Sequence, residues 1–519
     1  MSDSAPHHTP CVLLTGATGL VGSIVLAKLL LCQIPVAVLV RANRRQSAAD
    51  RTESLILRLE QRFQRLLGRP VMIEGELASP QLGLSRDAVH WLDQNCGAVI
   101  HSAANLLFSP AHRRADNEPY RTNVEGTRSL LDLITQIGIR EFHYVSTAYV
   151  AGLRGGIVQE DQLNVGQEFG NDYERSKTQA EQILRDSTAL DSLTVYRPSI
   201  VIDLHPTTAM RSDQTINSAF MMFQSLSQRF GLPDKGEWFQ RLGFLGSEQK
   251  NIVTVDWVAE MIVQIFRRPS LHQRTYHLTN AIGTSVLTLE ESFHAAMLDS
   301  GLKLPPRQSG VITQIDEQAA PFVAAFQPYF RDDPVFDRQH TEDAGAACGI
   351  KDQPPISVEM LRGFCLRQTR PVGNESTEHQ ARNVWERFVS AHVVATGKSA
   401  DTDVTDGRSF GLELLGPGGG QWRVIRCRDN WVLEAAIASN ETICWISATT
   451  ALIDLVEERC LLADALQTGI FSVEFRSVDD VSPKQFDVLA VELLESFAEG
   501  IRRSCGATDV RHSEVTHVR

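Results

Sequence analysis

Tyr173 and Lys177 stand four residues apart in NDYERSKTQAE (171–181), a stretch patterned as an exposed helix. Residues at that spacing share one helix face, so a phenol and an ammonium can point into one space. The chemistry open to such a pair is proton donation. A phenol near pKa ~10 is a sluggish acid–base group at neutral pH, and a neighbouring cation favours its phenolate. A solvated helix face has the same spacing, so the pair gains meaning only from its surroundings. A second chemical signal is the loop TGATGLVG, with Gly16, Gly19 and Gly22 three apart. Between a strand and a helix, such glycines give a tight turn, a backbone that can approach pyrophosphate, and free N–H groups at the helix start. The competing reading is a tight turn that holds no ligand. Arg41 follows the next apolar run, where many NAD-binding chains carry an acid for the ribose 2′-hydroxyl. An arginine suits a 2′-phosphate, and Arg44 and Arg45 could share the role. NADPH is therefore the expected cofactor, against a reading of these arginines as the start of a basic, solvated helix.

These groups need a scaffold that brings them together. CVLLT (11–15), PVAVLV (35–40), VMIEGEL (71–77), AVIHSAA (98–104), EFHYVST (141–147) and LTVYRPSIV (193–201) read as strands. Helical patterns lie between them at 51–67, 86–95, 120–137 and 173–189. Short apolar strands alternating with amphipathic helices predict an α/β fold, a Rossmann-type doubly wound parallel sheet covered on both faces. Ligands bind such sheets at the carboxyl ends of the strands. Thr15, Gly16, Arg41, Glu76, Ala103, Ala104 and Thr147 all fall there.

Composition sets outer limits. The 519 residues are enough for two to four domains. A net charge of −13 gives a nucleic-acid partner no electrostatic support from the whole chain. The nine cysteines are dispersed without a C-x-x-C, which predicts reduced thiols and neither a disulfide scaffold nor a zinc site. No metal is expected. MSDSAPHHTP has no basic segment leading into an apolar one, and the most apolar stretch, 25–40, is broken by Lys28, Gln33 and Pro35. It reads as a helix end plus a strand, so a cytoplasmic protein without an integral membrane segment is expected.

Taken in order, VLVRA, IEGELASPQLGLS, VIHSAANLLFS, TNVEGTRSLL, HYVSTAYVAG, NDYERSKTQAEQIL, VYRPSIVI and NIVTVDWVAEMI resemble the extended short-chain dehydrogenase/reductases. Within that family they resemble the thioester reductase and fatty acyl-CoA reductase (male sterility-like) branch. The likeness spans about residues 11–265, and more weakly to about 370. It implies a catalytic set of Thr147, Tyr173 and Lys177, with Ser146 as the fallback for the hydroxyl. It also implies that Gly16, Thr18, Gly19, Leu20 and Val21 line the cofactor. Glu76, beside Leu77, stands where the family usually has an aspartate near adenine. Ala103 and Ala104 would leave room for the adenosine ribose. Asn123 would brace the central helix and the active-site strand. Pro198 and Ile200 would present main chain to the nicotinamide amide. His101 and His143 read as buried strand residues. The chain departs from the family after R-P-S-I-V, where a glycine is common: here VIDLHPTTAMRSDQT follows, with Asp203 in a segment bordering the substrate pocket. The Met/Phe-rich INSAFMMFQSLSQRF (216–230) reads equally as an acyl-pocket helix or a core helix.

The resemblance divides the chain into a reductase domain over 1–370, a linker over 371–380 and a second domain over 381–519. In the last, the runs FGLELL, QWRVIRC, WVLEAAIA, ETICWISA and IFSVEF, followed by helical patterns, predict an α+β domain. It is similar to the sterol carrier protein 2 fold, which implies an apolar tunnel for a lipid or acyl chain, against a docking or dimerisation module. No adenylation motif or carrier-protein serine motif is visible, so the substrate is expected as an acyl-CoA or on a separate acyl-carrier protein. The expected activity is NADPH-dependent reduction of an acyl thioester to an aldehyde, with the further step to an alcohol left open by the sequence. The alternatives are a hydroxysteroid or alcohol dehydrogenase using the same residues, and a non-catalytic cofactor-sensing lipid-binding protein. Oligomeric state is not legible.

Overall fold

The computed structural model describes residues 10–43, 46–106, 118–205, 215–241, 243–302, 304–306, 329 and 331–369. It also describes the backbone of strands within 409–474. Two compact units are present: one built from 1–215, 242–292 and 328–364, the other from 216–241, 293–327 and 365–519. Arg44 and Arg45, the expected linker, and the helical patterns after it lie outside the described residues.

In the first unit seven strands form a parallel sheet: β1 (Cys11–Thr15), β2 (Val36–Val40), β3 (Val71–Glu74), β4 (Cys96–His101), β5 (Glu141–Val145), β6 (Ser192–Tyr196) and β7 (Thr275–Tyr276). Their order is β7-β6-β5-β4-β1-β2-β3, and every pairing is parallel. The chain runs outward from β1 in one direction, then returns to β4 on its other side, so β1 and β4 flank the crevice where the strand order reverses. Side chains alternate between two cores. Val12, Leu14, Val38 and Ile100 face one, while Leu13, Ala37, Leu39 and Val99 face the other. The near-continuous apolar strands are thus explained by a sheet buried on both faces.

Helices cover those faces. α1 (Leu20–Leu31) is apolar nearly all round because it is covered on most sides. α2 (Ala48–Phe63) begins with a reciprocal Ser47–Asp50 cap. α3 (Arg86–Asn95) is capped by Ser85. A π-helical turn at Arg121–Glu125 leads into α4 (Gly126–Gln136). α5 (Asp172–Arg185), which carries Tyr173 and Lys177, starts at Asn171, whose side chain accepts the Glu174 N–H.

Two expected strands are cut short for local reasons. The run 193–201 divides at Pro198, which lacks an N–H for the ladder. Ile200–Ile202 pairs instead with Ile252–Thr254. The run 71–77 stops at Glu74 because the Leu82 carbonyl crosses Gly75, where a Cβ would lie 2.6 Å from it.

Asp203, in the segment where the chain departs from the family, carries a structural ion pair. It is buried, and Arg62 of α2 donates to it at 2.6 Å and to Asp256 at 2.8 Å. Arg62 therefore ties α2 to the chain after Ile200–Ile202 and to the helix Val255–Phe266.

In the second unit, Phe220, Met222 and Phe223 of α6 (Thr215–Phe230) are buried. The Phe220 and Phe223 rings lie 5.2 and 5.8 Å from that of Phe293, so this part of the helix is packed as core. The five C-terminal runs are strands: β8 (Ser409–Leu414), β9 (Gly420–Cys427), β10 (Asn430–Glu434), β11 (Ile443–Ile446) and β12 (Phe471–Glu474). Their order is β10-β9-β8-β11-β12. β8, β9 and β10 form an antiparallel meander. β11 returns parallel to β8, and β12 closes the edge antiparallel.

Replacing Arg62 with leucine removes the guanidinium that pairs with the buried Asp203 carboxylate, a change that costs about 3–5 kcal/mol. Urea unfolding of Arg62→Leu is expected to show that loss. Arg62→Leu combined with Asp203→Leu is expected to recover most of it.

Candidate active site

The glycine loop leaves β1 and crosses the end of β4 at close range. Gly16 has φ +74°, and a Cβ there would lie 2.5 Å from the Ala103 nitrogen. At Gly22 a Cβ would lie 2.2 Å from the Gly16 carbonyl oxygen. The Gly19 N–H donates to that same oxygen at 2.9 Å. Only glycine fits this turn. The helix it opens has no side-chain cap and no acid in its first turn, so its leading N–H groups remain available to an anion. Thr18 and Gly19 are exposed on the loop, with Leu20 and Val21 half-buried behind them. Ala103 and Ala104 are half-buried opposite. The cradle fits a dinucleotide pyrophosphate.

His101 fastens the floor of this cradle. Thr127 Oγ1 donates to the Asn123 carbonyl at 2.6 Å, so at 3.0 Å it accepts from His101 Nε2. The Nδ1 atom then accepts from Thr15 Oγ1 at 2.6 Å. Burial, with Lys177 nearby, pushes this imidazole down to about 3. It is a neutral structural group in strand β4, as its position in the sequence indicated.

At the end of β2, Arg41 and Glu76 form an exposed ion pair of 2.9 Å, and Leu77, next in sequence to Glu76, is buried. Arg51 of α2 donates to the Arg41 carbonyl at 2.5 Å. Burial lowers the Arg51 guanidinium pKa, and the charges of Arg41 and Arg58 lower it further. Three guanidinium groups thus crowd the end of β2. The sequence reading found only the first. Arg51 and Arg58 sit seven apart in α2, a spacing that puts them on one helix face and was a usable signal.

The catalytic candidates converge at the other end of the crevice. Thr147 is buried just beyond β5 and shares a side-chain hydrogen bond with Tyr173. Its Oγ1 also accepts the Tyr149 N–H at 3.3 Å and lies 3.5 Å from the Pro198 carbonyl. Ser146, the fallback hydroxyl, points elsewhere and donates to Glu181 at 2.7 Å. Lys177 is 1% exposed. Its Nζ donates to the Val145 carbonyl at 2.8 Å and lies 4.2 Å from the centre of the Tyr144 ring. Asn123 joins the loop after β4 to α5, donating to the Asn105 carbonyl and to Ser176 Oγ, both at 2.9 Å. The Pro198 carbonyl accepts the Ala148 N–H at 2.9 Å, and the Ile200 N–H donates to the Asn251 carbonyl at 3.2 Å. Those two main-chain groups are already engaged. The Ser199 hydroxyl between them is buried with no hydrogen-bond partner.

Electrostatics differ from the expectation that Lys177 draws the Tyr173 phenol downward. Burial raises the phenol above its ordinary value, the Thr147 hydrogen bond offsets part of this, and the Glu174 charge adds to the rise. Lys177 is itself desolvated, which brings it down to about 7 even with Glu181 favouring its charged form. A half-neutral ammonium committed to a carbonyl exerts little pull on a phenol.

Two further groups shape the site. Glu181, one turn beyond Lys177, is buried, yet Arg197, Arg185 and Ser146 outweigh desolvation and hold it at about 2. Arg197 Nη2 donates to it at 2.6 Å, with both side chains fully buried. Glu174, beside Tyr173, is raised by burial to about 7 despite hydrogen bonds from Tyr329 and the Gly170 N–H. Glu181 was visible as a carboxylate on the Tyr173/Lys177 helix face. Tyr329 carried no local signal.

Comparisons with known proteins agree with this geometry. Residues 14–262 match the family model described as Male sterility protein. The chain is 23% identical over 301 residues to a non-reducing polyketide synthase, pkiA, of Emericella nidulans. It is 27% identical over 224 residues to the fatty acyl-CoA reductase wat of Drosophila melanogaster. These alignments cover 55% and 37% of this chain, but only 11% and 43% of those two proteins. The terminal R domain from the myxalamid PKS-NRPS pathway shares the fold, with a TM-score of 0.52 and 24% identity over 69% of this chain and 90% of that one. Over residues 14–262 the chain is thus similar to the Male sterility protein family, and its seven-stranded parallel sheet has the fold of that reductase domain.

Proposed function

We propose that this protein is an NADPH-dependent reductase of acyl thioesters, taking an acyl-CoA or an acyl-carrier protein to an aldehyde. The observation that carries the reading is the convergence of Thr147, Tyr173 and Lys177 at the end of the crevice that begins at Gly16. The match to the male sterility family and the likeness to fatty acyl-CoA reductases support the thioester over a ketone.

NADPH, when bound, supplies the hydride. Gly16, Gly19 and the start of α1 would hold its pyrophosphate, and Arg41, with Arg51 behind it, would meet the 2′-phosphate. The exposed Arg41–Glu76 pair is worth only ~0–1 kcal/mol, so recruiting Arg41 to a phosphate costs little. Lys177 positions the nicotinamide ribose. Thr147 and Tyr173 both direct hydroxyls at the oxygen of the thioester carbonyl. As negative charge develops there, Tyr173 gives up its proton and Thr147 donates a hydrogen bond, a contribution of about 2.7–4 kcal/mol for one such donor. The raised phenol keeps this proton in place through the neutral range. Collapse of the resulting hemithioacetal breaks the C–S bond and releases the free thiol and the aldehyde. A second reduction of the aldehyde at the same residues would give the alcohol. The C-terminal unit holds the acyl chain in this reading, a sterol carrier protein 2-like role supported by its five strands in an α+β sequence pattern.

Three outcomes are expected with the full chain. NADPH oxidation with a long-chain acyl-CoA is accompanied by stoichiometric thiol release, and Tyr173→Phe lowers kcat by roughly 10²–10⁴. Oxidation of NADPH by a ketosteroid without thiol release would sink the thioester reading. For pH, Lys177 acts as a cation with its pKa near 7. It is charged below that value and loses its charge above it. The kcat/KM profile should fall as pH rises through about 7, and Lys177→Arg should move that limb upward. Arg41→Ala should weaken NADPH, and not NADH, by roughly 10-fold or more in KM, as loss of a charged hydrogen bond requires. Equal loss for both cofactors would contradict the 2′-phosphate assignment.

A further inference from the structure

Far from the crevice, at the opposite end of the sheet, Glu141 and His143 open strand β5, and His272 lies just before β7. Their potential ligand atoms all lie within 4.8 Å of one another. Glu141 Oε1 is 3.0 Å from His143 Nε2 and 3.7 Å from His272 Nδ1. The two rings stand nearly perpendicular, 4.6 Å between centres.

The hydrogen bonds around the two rings decide what this corner can hold. His272 Nε2 lies 3.0 Å from the Phe266 carbonyl and 3.2 Å from that of Ile265. A carbonyl only accepts, so Nε2 carries a proton, and in the neutral imidazole Nδ1 presents its lone pair towards the Glu141 carboxylate. His143 Nδ1 is paired with the Tyr196 hydroxyl at 2.9 Å, which leaves Nε2 facing the same carboxylate oxygen. Two electron-pair donors, Nδ1 and Oε1, thus face each other across a gap that a positive charge would fill. Imidazoles whose outer nitrogens are held by carbonyls or hydroxyls are the usual arrangement behind a bound metal. Tetrahedral bonds of about 2.0–2.1 Å put neighbouring ligand atoms ~3.3–3.4 Å apart, and the two measured separations bracket that spacing. The histidines are buried, while the Glu141 side chain is 36% exposed. An ion therefore has a route in and room for a solvent ligand.

We propose that Glu141, His143 and His272 form a site for one divalent transition-metal ion of the zinc class, with solvent completing the coordination. Two imidazoles and a carboxylate suit such ions and not calcium or magnesium. The site cross-links the start of β5 to the turn before the edge strand β7. Thr147 lies four residues beyond His143, about 13 Å along the strand direction, so the ion holds structure and takes no part in the reduction. Its ligands are separated by one residue and then by more than a hundred, which is why no spacing motif betrayed them and why no metal was expected from the cysteines.

The test is titration of metal-free, untagged full-length protein with Co2+, followed by visible absorption, with Zn2+ as competitor. One equivalent giving a four-coordinate spectrum, displaced by Zn2+, is expected, with affinity at least 10-fold weaker in His272→Ala. If that variant fails to fold, Glu141→Gln keeps an acceptor for His143 and serves instead. An absent spectrum in the parent protein would overturn the site and leave the His143–Glu141 contact as a hydrogen bond. So would an affinity unchanged in the variants, which would assign the binding to other histidines such as His7 and His8.

Discussion

The fully buried pair of Glu181 and Arg197 is the constraint around which the first unit is organised. Taking isolated charges out of water costs several kcal/mol each, and such a pair persists only when its remaining donors and acceptors are met. Here they are. Glu181 accepts from Arg197, Arg185 and Ser146. Arg197 Nη1 donates to the carbonyls of Glu160 and Gln162 and to His277 Nε2. His277 must then carry its proton on Nδ1, which donates to the Asp337 carbonyl at 2.8 Å. One ion pair thus locks α5, the ends of β5 and β6, and two segments far along the chain.

That lock sets the electrostatics of the catalytic candidates. Lys177 is pressed against the Tyr144 ring and the Val145 carbonyl, where desolvation alone would strip its charge. Glu181, held ionised one turn away, returns part of it. The result is an ammonium balanced near neutrality, while on the other side of Tyr173 a carboxyl is balanced there too. Tyr173 is flanked by two groups whose charge responds to modest changes, and its own proton stays put.

The cofactor end follows a different logic. The loop from Gly16 to Gly22 is tightly set because the backbone just after β4 leaves no room for a Cβ at Gly16 and the Gly16 carbonyl leaves none at Gly22, whereas Arg41 at the end of β2 is exposed. The pyrophosphate cradle is prebuilt. The Arg41 guanidinium is held only by its exposed ion pair with Glu76.

Local pattern was enough to specify the alternating strands and helices, the parallel sheet and the glycine turn. Each of these depends on period, on apolar runs or on residues with special backbone freedom. The Tyr173–Lys177 pair was legible for the same reason, since helical spacing alone puts both on one face. What spacing could not supply was solvation. Only the folded chain shows that Lys177 is dry enough to sit near pH 7, that Ser146 is committed to Glu181 and so leaves Thr147 beside Tyr173, and that Asp203 is bound by Arg62. The partners in each case lie tens to hundreds of residues apart. Desolvation and charge pairing depend on three-dimensional neighbours, so they were decided by tertiary structure and by nothing shorter.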